Sequence, residues 1–130
     1  MTFVKRLAPI FILALGFACR PSPAAMLKEA SATCDVNEVR SILGRVGKRI
    51  DSGFGPPERD EIAERVESMK TDDELTRDLS VKAGGAEIDF RVHVVMGPRD
   101  TPRISFTTSP NLANEIQQDM NGFLDERDAK

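Results

Sequence analysis

The strongest pattern in the chain is an alternation of apolar and polar residues on either side of a glycine pair at positions 84–85. Every second residue from 86 to 96 is apolar, and the odd-numbered residues between 75 and 83 are apolar except for Arg77. Strict alternation is typical of a strand with one buried face, and two consecutive glycines suit the positive φ angles of a two-residue turn. The pattern therefore predicts an antiparallel hairpin.

A two-residue turn fixes which residues of the hairpin lie opposite one another. It places Lys82 opposite Glu87 and Asp78 opposite Arg91, and each pair joins two opposite charges on the polar face. This face is a candidate binding surface for another protein. Its possible partner-binding residues are Lys82, Glu87, Asp89, Arg91 and His93.

Three other segments have apolar residues at intervals of three and four, which predicts three helices. The first is predicted over about 35–52 and the second over about 57–70. The third begins after Ser109, which suits an N-cap, and it has Pro110 in its first turn.

Alternating Ile104 and Phe106 follow a turn at 97–102 and predict a third strand. The expected fold class is α+β, a three-stranded antiparallel β-meander packed on one face by about three helices, in the order α-α-β-β-β-α. We expect a single domain over 35–126 and a frayed tail at 127–130. In this arrangement the third strand forms an edge that could accept another strand.

The turn before the third strand is a second candidate contact surface. Arg99, Asp100 and Arg103 project from it, and two prolines restrain it. A restrained loop loses less conformational entropy when it binds a partner. A simple turn explains the same glycine and prolines equally well.

The N-terminus has the pattern of a secretory signal peptide. Two basic residues precede an uncharged run from Leu7 to Ala18. This run is too short for a spanning helix, which needs about 20 apolar residues. We therefore expect a signal peptide over 1–18. Residues 19–34 have two prolines near their start and are predicted to form a tether or linker.

The segment Gly16-Phe17-Ala18-Cys19 resembles the lipobox of bacterial lipoproteins. The resemblance implies that Cys19 becomes the lipidated first residue of the mature chain. Because Arg20 rather than an aspartate follows, it also implies a periplasmic protein anchored to the outer membrane. Ordinary signal peptidase is the alternative, since the small residues Gly16 and Ala18 also fit its cleavage preference, and so do Ser22 and Ala24, which would make Ala25 the first residue.

Composition removes several classes of function. The chain has 18 Lys+Arg against 21 Asp+Glu, and this net charge of -3 argues against nucleic-acid binding. With a single histidine and two cysteines, the composition excludes a multi-histidine metal centre and a scaffold of several disulfides. The nearest carboxylate along the strand, Asp89, lies too far from His93 for a direct bond. We therefore expect neither an enzyme nor a cofactor.

These features favour a small exported envelope lipoprotein that acts by binding another protein, as immunity proteins and periplasmic inhibitors do. A lipid on Cys19 would also join it to the membrane. One alternative is a structural or assembly lipoprotein of an envelope complex, and another is a hydrolase with an unrecognised site. If Cys19 carries no lipid, a disulfide with Cys34 is possible; otherwise Cys34 is either buried or paired with another molecule.

Overall fold

A four-stranded antiparallel sheet and three helices form residues 27–129, the part of the chain that the computed structural model describes. The α+β class is confirmed. The elements in chain order are β1 (Lys28–Thr33), α1 (Val39–Gly47), α2 (Pro56–Glu67), β2 (Glu74–Ala83), β3 (Ala86–Val95), β4 (Arg103–Thr108) and α3 (Pro110–Asp128). Within the sheet the strands lie in the order β1-β4-β3-β2.

The predicted hairpin is confirmed together with its register. Strand β2 pairs with β3 along its full length, from Ala83 opposite Ala86 to Glu74 opposite Val95. The turn residues Gly84 and Gly85 have φ angles of 62° and 81°, a region that side chains disfavour. The local sequence therefore determines both the turn and the pairing of the charged residues.

The prediction of three strands is wrong, because a fourth strand lies in the segment assigned to the linker. Strand β1 pairs antiparallel with β4 and places Ala30 opposite Phe106. Its inward residues, Ala30 and Ala32, are small and give little hydrophobic signal. Because β1 covers one side of β4 and β3 covers the other, β4 is an internal strand and not the expected edge.

The helices occupy the predicted regions but differ in length. Helix α1 is shorter than the predicted 35–52, since a 3₁₀ turn precedes it and it ends at Gly47. The Arg59 side chain of α2 lies over this glycine, where an added Cβ would be 2.5 Å from the guanidinium. Helix α3 begins after Ser109, as predicted, and continues to Asp128, beyond the expected end of the domain at 126.

All three helices contribute to one core on a single face of the sheet. Three buried phenylalanines cross its centre. The ring of Phe90 in β3 lies 5.1 Å from that of Phe54 and 5.8 Å from that of Phe106 in β4. Burying each ring contributes roughly 1.5–3 kcal/mol. Phe54 follows α1, so this row of rings fixes the loop between α1 and α2 against the sheet.

The outer edge of β1 is closed by a side chain of α3. The Gln117 Nε2 donates to the backbone oxygen of Ser31 at 3.0 Å, and its Oε1 accepts from the Ser31 N–H at 2.9 Å. Nearby, Lys28 Nζ donates to Asn114 Oδ1 at 2.7 Å. A single amide therefore satisfies both outward backbone groups of Ser31, which would otherwise be open to another strand.

Replacing this amide should loosen β1. We expect Gln117→Ala to lower the free energy of unfolding by about 1–2 kcal/mol, because two hydrogen bonds to Ser31 are lost. Urea denaturation measures this change, and hydrogen exchange should accelerate at the Ser31 amide. The neighbouring Gln118 is exposed on the same helix, so Gln118→Ala is the matched control. Equal stabilities of the two variants would contradict the role assigned to Gln117.

Candidate functional site

The face of the sheet opposite the helices carries the predicted binding residues, and we call it the open face. Its side chains alternate with those that enter the core, and most of them are exposed. From β1 to β2 they are Glu29, Ser31, Thr33, Arg103, Ser105, Thr107, Glu87, Asp89, Arg91, His93, Val95, Glu74, Thr76, Asp78, Ser80 and Lys82.

The structure brings most of the predicted partner-binding residues together on this face. Those from the hairpin are Lys82, Glu87, Asp89, Arg91 and His93. Arg103 joins them from the start of β4, where it lies opposite Val95. Arg99 and Asp100 instead lie in the 3₁₀ turn beyond the end of the sheet. Cys19, the predicted lipidation site, lies outside the described residues.

A bidentate ion pair organises the centre of the open face. Arg91 Nε lies 2.6 Å from Asp78 Oδ1, and Arg91 Nη2 lies 3.3 Å from Asp78 Oδ2. The hydrogen bonds from Arg91 lower the pKa of the Asp78 carboxyl below its ordinary value. Both side chains are more than half exposed, so the pair contributes little to stability. Its main effect is to hold two opposite charges in fixed positions.

His93 has a carboxylate partner that the sequence analysis did not identify. Its Nε2 lies 3.0 Å from Glu74 Oε1. Glu74 is displaced by two residues from Thr76, which lies directly opposite His93, so the contact is diagonal. Long side chains can reach a diagonal neighbour across two strands. The predicted hairpin register therefore already indicated that Glu74 could contact His93.

A serine also lies beside this pair, as Ser105 is opposite His93 on β4. Nucleophilic catalysis needs the serine hydroxyl within hydrogen-bond reach of the imidazole. Among the described side chains, no hydrogen bond joins Ser105 to His93, and Ser105 is only 3% exposed. In this arrangement the Glu74–His93 pair is a polar cross-strand contact.

The open face is concave near the first residues of β1. A cavity of about 460 Å³ lies there. Its lining combines apolar groups with the central ion pair and is formed by Leu27, Asp78, Leu79, Asp89, Phe90, Arg91 and Thr107. Apolar and charged groups thus line the same concavity. The cavity is large enough to accept a side chain from another molecule.

Two strained loops meet at the opposite end of the sheet. The non-glycine residues with positive φ in the described chain are Asp72, Arg99 and Asp100, at 75°, 59° and 58°. Backbone hydrogen bonds hold the loops together, from Asp72 N–H to the Met96 oxygen at 2.8 Å and from the Met96 N–H to Asp73 at 2.9 Å. A left-handed backbone conformation at a non-glycine residue costs of order 1 kcal/mol of conformational free energy. The two bonds therefore tie Asp72 and Asp73 to the end of β3, next to the turn that carries Arg99 and Asp100.

Cys34 is buried directly after β1. The residue is 3% exposed, and its N–H donates to the Pro102 oxygen at 3.0 Å. Burial, followed by the negative charge of Glu38, raises the pKa of the Cys34 thiol to about 12. The thiol therefore stays protonated at neutral pH, and the nucleophilic thiolate is scarcely populated.

Comparison with other proteins does not assign the chain to a family. No protein-family model matches it, and comparisons with curated proteins and with solved structures give no significant match. Within residues 27–129, no helix is long and apolar enough to cross a membrane. The same residues contain no group of three or more His, Cys, Asp or Glu placed to hold a metal ion.

The burial of Cys34 predicts its reactivity. We expect iodoacetamide to leave Cys34 unmodified in the folded protein at neutral pH, because the thiol is covered and protonated. Unfolding in urea should expose it and restore an ordinary pKa, so that modification becomes complete. Mass spectrometry of a digest measures the modified fraction at this residue. Rapid modification of the folded protein would contradict the burial described here.

Proposed function

We propose that the chain is a small exported bacterial envelope protein, a lipoprotein, that acts by binding another protein through the open face. The observation that carries this proposal is a full sheet face of charged and polar side chains that lies opposite the helices and includes a cavity of about 460 Å³. Within residues 27–129 the helices cover the other face, so the described chain leaves the open face accessible to a partner.

The charges of the open face favour binding to a specific partner over non-specific association. Arg91 with Asp78, and His93 with Glu74, are already paired and oriented before binding. Oriented charges contribute more to specificity and to the rate of association than to affinity. Affinity would come from filling the adjacent cavity, whose lining includes the apolar residue Leu27.

The proposal of a lipid anchor is supported by the basic start, the apolar run and the resemblance to a lipobox at Cys19. The described domain begins at Leu27, soon after this cysteine. A fully extended chain between the two residues could not exceed about 28 Å. A lipid on Cys19 would therefore keep the domain, with its open face, close to the membrane surface.

Site-specific photo-crosslinking in the native host tests the binding surface. We expect a crosslinking amino acid at Asp89, which lines the cavity, to give one discrete protein adduct. The same amino acid at Gln118, exposed on α3, should give none. Arg91→Glu should abolish the adduct from Asp89, since it places two acids opposite one another, whereas Arg45→Glu on α1 should leave it intact. Equal adducts from Asp89 and Gln118, or none from either, would refute binding through the open face.

The mass of the mature protein tests the anchor. We expect the chain isolated from bacterial membranes to begin at Cys19 and to carry the mass increment of a diacyl or triacyl group. In Cys19→Ala both processing and the increment should be lost. An unmodified chain that begins at Cys19 or Ala25 and is free in the periplasm would instead support the ordinary signal peptidase.

A further inference from the structure

The two edges of the sheet differ in how their outward backbone groups are satisfied. At β1, the Gln117 amide of α3 bonds both groups of Ser31. Strand β2 forms the other edge and is longer, from Glu74 to Ala83. An unpaired edge strand is a template for another strand. Whether the β2 edge can accept another strand therefore depends on whether its outward N–H and C=O groups are already bonded.

Hydrogen bonds at the end of β2 establish which residues face outward. The Lys82 N–H donates to the Ser52 oxygen at 2.9 Å, and the Lys82 oxygen accepts from Asp51 at 2.7 Å. Even-numbered residues of β2 therefore direct their backbone groups away from β3. The chain then turns off the edge at Gly53, which has a φ of 96° and where an added Cβ would lie 2.7 Å from the Ser80 oxygen.

Nearer the start of β2, the edge is not paired with other backbone of the described chain. Within residues 27–129, no backbone group pairs with the outward N–H or C=O of Thr76 or Asp78. Among the described side chains, one bonds to these groups, with Arg77 Nη1 donating to the Thr76 oxygen at 3.3 Å. A strand laid along this edge would find a regular ladder of donors and acceptors.

The charges along β2 argue against a second copy of this chain as the occupant. Antiparallel pairing of two β2 strands about a twofold axis at Thr76 places Glu74 opposite Asp78. Moving the axis to Arg77 or to Asp78 places that residue opposite its own copy. Each central register thus brings like charges together, which destabilises strand pairing.

The same charges favour a basic occupant. Residues 58–78, which include most of α2 and the free part of β2, contain nine acidic and four basic residues. The Glu74 side chain at the edge is 63% exposed. Beside β2, Glu61 of α2 lies 3.1 Å from Arg77 and is itself 60% exposed. An approaching cationic segment would meet a surface of net negative charge.

We propose that β2 accepts an extended basic segment of the partner protein as a fifth strand, paired with the outward backbone groups of Thr76 and Asp78. This inference rests on the proposed function, since it specifies one segment of the same partner. Main-chain hydrogen bonds would hold the segment, and lysine or arginine near Glu74 would select it. Alternate side chains of the added strand would extend the open face.

Synthetic peptides test this edge without knowledge of the partner. The probe is a seven-residue peptide of alternating lysine and valine, and we expect it to shift and protect the amides of Thr76 and Asp78 in NMR and hydrogen-exchange spectra. Methylating alternate amide nitrogens of the peptide, or replacing its lysines by glutamate, should weaken binding at least tenfold. The first change removes ladder donors and the second reverses the charge.

A proline in the protein provides the matched variant. Thr76→Pro removes an outward N–H from β2 without removing a bond to β3, and prolines are tolerated on edge strands. It should weaken binding of the lysine peptide at least tenfold, whereas Thr33→Pro on the opposite edge should not. The inference is overturned if the amides of Thr76 and Asp78 do not respond to the peptide, or if the N-methylated peptide binds equally well. It is also overturned if the protein self-associates and Thr76→Pro abolishes that self-association, because a second copy would then occupy the edge.

The two proposals fail in different ways. If the crosslink from Asp89 persists unchanged in Thr76→Pro and the peptide does not bind, the open face binds a partner but β2 accepts no strand. If the peptide binds at Thr76 while Asp89 gives no adduct, the β2 edge can accept a basic strand, but the proposed function fails and with it the assignment of that strand to the partner.

Discussion

Burial of the sheet on one side only is the constraint on which the remaining structure depends. The alternation through β3 sends Phe90, Val92 and Val94 into the core and leaves Arg91 and His93 on the other side. Three helices cover the apolar side. On the polar side, side chains pair across strands, with Asp78 in an ion pair with Arg91 and Glu74 hydrogen-bonded to His93. The open face is thus a direct consequence of the same alternation that builds the core.

Because the sheet is open, β1 and β2 are edge strands, and the chain satisfies their outward backbone groups by different means. An amide side chain closes β1 at Ser31, and backbone of the loop after α1 closes β2 at Lys82. Around Thr76, β2 has no outward backbone partner within residues 27–129, and the charges of Glu74, Arg77 and Asp78 oppose pairing with another copy. The open face and this edge share β2, so one partner could contact both.

The predictable features were those encoded locally. The glycine pair at 84–85 fixed the hairpin register and therefore the charged pairs of the open face. Strand β1 was missed because Ala30 and Ala32 resemble linker residues, and because β4, its partner, is distant in sequence. The cavity could not be foreseen either, since Leu27 meets Thr107 and Arg91 only after β1 has joined the sheet. Non-local pairing, rather than local propensity, accounts for both omissions.

Carboxyl footprinting in intact envelopes tests the central claim, binding through the open face, most directly. The protein in native envelopes and the purified protein would be labelled side by side, and modification compared residue by residue. The account predicts protection of Glu87 and Asp89 in the envelopes, with Glu64 of α2 and Glu115 of α3 labelled equally in both samples. Protection of the two helical residues, with Glu87 and Asp89 fully labelled, would contradict it.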